Sequence, residues 1–97
     1  WHWVVANIPA DTRVLPQGSG SDLVALPEDA IQTRTDFGYA GYGGAAPPKG
    51  ETHRYIFTLH ALDVERLDVN ANASGAMVGF NVHFHAIASA TLTAIYI

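Results

Sequence analysis

The chain has 97 residues, 48% of them apolar and 14% charged, with five Lys plus Arg against nine Asp plus Glu for a formal charge of −4. That size allows one domain with a modest core, and that charge leaves no basic face to neutralise a row of nucleic-acid phosphates. The lack of cysteine excludes disulfides and thiolate chemistry, and no apolar run is long enough to read as a membrane span or a signal peptide.

Residues 1–8 are aromatic and β-branched, which predicts a strand covered on both faces that ends at Pro9. The strand begins with no turn, cap or initiator Met ahead of it, so the chain is expected to be the C-terminal portion of something longer. Residues 10–30 turn to Asp, Thr, Pro, Gly and Ser. Within them Gln17-Gly18-Ser19-Gly20-Ser21 reads as a flexible surface connection, with short pairings available to Val14-Leu15 and Leu23-Val24-Ala25-Leu26. A brief alternating segment over 31–35 precedes Asp36-Phe37-Gly38, and a Gly- and Pro-rich loop runs from Gly41 to Gly50.

Alternation predicts a strand over 54–62, with Tyr55, Phe57, Leu59 and Ala61 on one face and Arg54, Ile56, Thr58, His60 and Leu62 on the other. Both faces carry apolar residues, so the strand is expected inside a sandwich or barrel. Residues 63–68 form a charged turn with two apolar anchors, and cap-type residues at 70–74 lead into a helix over 75–85. Its glycines cost roughly 1 kcal/mol each relative to Ala, which fits close packing against a sheet. A last strand is predicted over 89–97. The order of strand, long loop, strand, helix and strand gives a single mainly β domain.

The chemistry concentrates where the Gly/Pro loop enters the strand. Glycines let backbone N–H groups approach a ligand, prolines fix the loop's path, and alternation puts His53 and Tyr55 on one strand face. Lys49 is followed by Gly50 and Glu51, so the loop lacks the Lys-Ser/Thr ending of a nucleotide-binding P-loop. His2 points away from Trp1 and Trp3. It is either a core histidine with a backbone partner or, if it reaches the same pocket, a third ligand for a small anion. His83 and His85 would share a face on a strand, a metal-ligand spacing, but diverge on the predicted helix, where they complement its C-terminal dipole and are expected to bond its final carbonyls. His60 has no partner in view.

Taken together, Trp1-His2-Trp3 through Pro9, Asp36-Phe37-Gly38-Tyr39, and Tyr42-Gly43-Gly44-Ala45-Ala46-Pro47-Pro48-Lys49-Gly50 with Thr52-His53-Arg54-Tyr55 resemble the phosphatidylethanolamine-binding protein family, in its prokaryotic Raf-kinase-inhibitor-like branch. The resemblance implies an antiparallel β-sandwich with one short helix before the C-terminal strand. It also implies a pocket for phosphate-type anions, and regulation, such as kinase or protease inhibition, in place of catalysis. By motif, His2, His53 and Tyr55 match pocket residues, and Gly44, Pro47 and Pro48 match the rim. The family's Asp-Pro-Asp-x-Pro carboxylate segment is expected upstream of Trp1, on strands that a separate chain could supply. A helix beyond the final strand, present in eukaryotic members, has no counterpart after Ile97, so a more open pocket is expected.

Three readings therefore stand. The first is a non-enzymatic, cytoplasmic, homodimeric module that needs no cofactor and holds a small anion with His2, His53, Tyr55 and loop N–H groups of residues 43–46. The second is a metal-dependent hydrolase built on His2, His53, His83 and His85. The third is a structural interaction protein whose pocket is a relict.

Overall fold

The computed structural model describes residues 1–21 and 24–97. Its elements in chain order are β1 (Val5–Ala6), β2 (Ile31–Gln32), β3 (His53–Leu62), α1 (Gly75–His85) and β4 (Ala86–Tyr96). The domain is mainly β with one short helix ahead of the last strand, and both sheets are antiparallel pairs. β1 pairs with β2, Val5 opposite Gln32. β3 pairs with β4 from His53 opposite Tyr96 to Leu62 opposite Ala86, with a bulge between Ala61 and Leu62. Val24 bridges Ser19 in parallel, while the pairing expected at Leu23 lies outside the described residues.

The first strand is much shorter than its composition predicts. Backbone pairing does continue past the regular ladder, since Thr33 N–H donates to the Val4 carbonyl at 3.0 Å and Asp36 N–H to the Trp1 carbonyl at 2.9 Å. It stops at Asn7, before Pro9, because Asn7 adopts φ 62°, a left-handed conformation that Asn tolerates better than most residues. The Asn7 side chain then takes over from the ladder. Its Oδ1 accepts from Leu67 N–H at 2.7 Å and its Nδ2 donates to the Leu67 carbonyl at 3.2 Å. Burial is one-sided here: Val4 and Ala6 are buried, whereas Trp1 is 56% exposed.

α1 forms over the predicted residues. Ser74 caps it, Oγ accepting from Met77 N–H at 3.1 Å, and Val78 turns into the core. That core joins Val4, Leu67 and Val78, with Leu62, Val64, Val69, Ala73 and Val82 packed around them. Val64 and Leu67 are the two anchors of the charged turn. At the helix end His85 does not bond the last carbonyls as expected. Its Nδ1 lies 2.8 Å from Asp63 Oδ1, and Asp63 N–H donates to its carbonyl at 2.9 Å, which pins the start of β4 to the end of β3.

β3 begins at His53 and β4 at Ala86, each earlier than the sequence pattern predicts. Both faces of this ribbon are largely open, with Ile56 61% and Leu92 68% exposed. Among the described residues no second sheet covers it, so the two-sided burial expected of the strand over 54–62 is not found here. No helix of the described residues is long and apolar enough to cross a membrane.

Candidate functional site

The backbone places His2 before any side-chain contact does. On one side the Trp1 carbonyl is held by Asp36, and on the other the His2 carbonyl accepts from Gly43 N–H at 2.9 Å. His2 is therefore fixed between the 35–39 turn and the Gly/Pro loop. The ring is fixed as well: His2 Nδ1 lies 3.0 Å from the Gly44 carbonyl oxygen. Gly44 aims that carbonyl from φ 72°, a conformation cheap only for Gly.

Phe37 closes one side of the imidazole and Tyr55 another. Both meet it edge-on, with ring centroids 4.8 Å and 5.8 Å from His2. Phe37 is aimed by Thr35, whose hydroxyl accepts from Phe37 N–H at 3.2 Å and donates to the Tyr39 carbonyl at 3.0 Å. The ring then lies over Gly43, where a Cβ would sit 2.0 Å from Phe37 Cε2. Only a hydrogen fits.

From β3, Tyr55 reaches His2 and also has His53 beside it, with 6.5 Å between the ring centroids. Tyr55 is thus the common neighbour of both histidines. His2, Gly44, His53, Arg54 and Tyr55 line one open groove of about 1520 Å³, whose inner wall includes Val4 and Val78. His53 Nε2 is 4.0 Å from Glu51 Oε2, both groups being well exposed. The Asp36 carboxylate lies beside the Trp1 backbone nitrogen.

Pro47 and Pro48 do not line the groove. Pro48 instead accepts Glu51 N–H at 3.0 Å, closing the turn that delivers the chain to His53. The loop amides are not all free for a ligand, since Gly43 N–H is already committed to His2 and Gly44 presents a carbonyl. His83 lies against Phe84 and His85 against Asp63. Among the described residues no group of three or more His, Cys, Asp or Glu side chains is close enough to hold a metal ion. Phe37 and Thr35 were not among the predicted site residues. The signal for them was a Thr two residues before an aromatic, followed by Gly, a spacing suited to a hydroxyl-to-backbone turn.

A profile of the phosphatidylethanolamine-binding proteins matches residues 1–97. Over 96 residues the chain is 75% identical to the UPF0098 protein YbhB of Escherichia coli K12, covering 99% of this chain and 61% of that one. It is 49% identical to YbcL of the same organism over 98 residues, 99% of this chain and 54% of YbcL. The crystal structure of E. coli YbcL, described as a new member of the mammalian PEBP family, superposes with a TM-score of 0.89 at 48% identity, over 99% of this chain and 60% of that one. The chain thus spans little more than half the length of these relatives.

Proposed function

We propose that this chain, which belongs to the phosphatidylethanolamine-binding protein family, binds a small phosphate-type anion without transforming it. The observation that carries this reading is the pair His2 and His53, each beside Tyr55 and each lining one groove. Two imidazoles and a phenol supply directional donors in a space that a tetrahedral oxyanion can enter. A phospholipid head group, as in the family's name, and a phosphorylated side chain share that chemistry. A regulatory role, in which occupancy controls a kinase or protease, follows from the same binding. The cytoplasmic location, the homodimer and the sandwich architecture that would cover Ile56 and Leu92 belong to this proposal too.

Isothermal titration of the full-length protein with inorganic phosphate and with phosphoethanolamine tests it. His53→Ala is expected to weaken both by about tenfold or more, the loss of one charge-assisted hydrogen bond. Equal affinity in the two proteins would remove the site.

A further inference from the structure

The hydrogen bond between His2 and Gly44 restricts what this site accepts, an inference that rests on the anion-binding reading above. A carbonyl oxygen only accepts, so His2 Nδ1, 3.0 Å from the Gly44 oxygen, must carry a hydrogen. A neutral imidazole has one N–H, and here it is spent on the backbone. The remaining polar atom, Nε2, is then a bare lone pair that repels an unprotonated oxyanion. It can meet an anion in two ways: the anion brings its own hydroxyl, or the ring takes a proton from solvent.

We infer that His2 makes this a proton-selecting site. With neutral His2 it binds an oxyanion that carries an acidic O–H, and it binds a fully deprotonated oxyanion only with uptake of one proton at Nε2. The proton balance is the same in both complexes, one hydrogen shared between Nε2 and a ligand oxygen; only its source differs. Among the described residues, the other ionisable groups beside the ring or lining its groove are the Tyr55 phenol, His53 with Glu51 beside it and Arg54, on the β3 side, and Asp36 on the turn side. Tyr39 stacks behind Phe37. These groups act on any anion in the groove, so a ratio of affinities for two tetrahedral anions of equal charge cancels them.

Sulfate and hydrogen phosphate form that pair. Between about pH 7.5 and about pH 9 sulfate has no proton and hydrogen phosphate keeps one. Each sulfate bound takes up one proton from solvent at Nε2 whereas hydrogen phosphate brings its own, so by linkage sulfate affinity falls about tenfold per pH unit, while that of hydrogen phosphate does not fall through this term. The expected result is a phosphate-to-sulfate affinity ratio that rises by about 30-fold across that window. In His2→Gln, whose amide nitrogen offers a permanent donor near the Nε2 position, the ratio should be flat. Nitrogen-15 NMR of the histidine rings in the wild-type protein reads the same point without a variant. Free, neutral His2 should show Nδ1 protonated and Nε2 bare, and sulfate binding should be accompanied by uptake of a proton from solvent at Nε2. A constant ratio, or a free ring protonated at Nε2 alone, overturns the inference while leaving anion binding in place. If neither anion binds at any pH, the binding reading fails and this one with it.

Discussion

Gly43→Ala tests how the site is held. A methyl group there would sit 2.0 Å from Phe37 Cε2 and 2.5 Å from Cδ2, about 1 Å or more inside carbon–carbon contact. Something must move. If Phe37, 48% exposed, swings outward, its edge contact with His2 is lost, worth about 0.5–1.5 kcal/mol. If the loop moves instead, the bond from Gly43 N–H to the His2 carbonyl is broken, at a cost of about 1 kcal/mol. With the strain of the displaced group added, either path predicts a destabilisation of about 1–3 kcal/mol. At about 4–8 °C per kcal/mol for a domain of this size, that lowers the melting temperature by roughly 5–20 °C. Phosphate affinity should fall with it, because His2 loses either its neighbour or its anchor. Phe37→Ala removes the obstacle, so in that background Gly43→Ala should cost no more than about 0.5 kcal/mol. Thermal melts of the wild type, both single variants and the double variant complete the cycle. An equal cost of Gly43→Ala in both backgrounds would refute the claim that Phe37 is what excludes a side chain at Gly43.

Asn7→Ala removes both bonds to Leu67 and leaves that buried residue's N–H and C=O unpaired, so a loss of about 2–3 kcal/mol is expected. It should read as a lower urea midpoint at unchanged slope, and a loss below about 0.5 kcal/mol would show that Asn7 is not a clamp. The two helix glycines should respond with opposite sign. Space around Gly79 is open, so Gly79→Ala should stabilise by about 0.5–1 kcal/mol. At Gly75 a Cβ would lie 2.6 Å from Trp1 Cδ2, so Gly75→Ala should destabilise despite the better helix propensity. Matching shifts in the two melting curves would sink that contrast.

What the sequence conveyed depended on whether the signal was local. The helix over 75–85 was legible to the residue because its cap, Ser74, lies beside it and bonds Met77. The loop-to-strand passage into His53 was legible for the same reason. The end of the first strand was not, because Asn7 turns the chain to meet Leu67, a partner 60 positions away. Phe37 was overlooked as a site residue because its importance comes from the space above Gly43, which no periodicity encodes. Composition suggested that Gly44 would offer an amide, yet the residue's left-handed φ turns its carbonyl to the imidazole. Residue type alone does not distinguish the donor from the acceptor of a peptide group.

The two halves of the site are held by different means, and this bears on what an anion would do there. His2 is fixed from both flanks by backbone bonds to Gly43 and by the ring bond to Gly44. His53 and Tyr55 sit at the opposite end of the β3–β4 ribbon from Leu62, which packs on the core, and from the Asp63–His85 clasp. Within this chain each cross-strand pair of the ribbon contributes about 0.2–1 kcal/mol, and the sandwich proposed above would bury both of its faces. An anion bonded to His2 and His53 at once would tie the ribbon to the turn and loop through the ligand. Substitutions at Leu62 or Asp63 should therefore weaken binding by loosening His53, although neither residue touches the ligand.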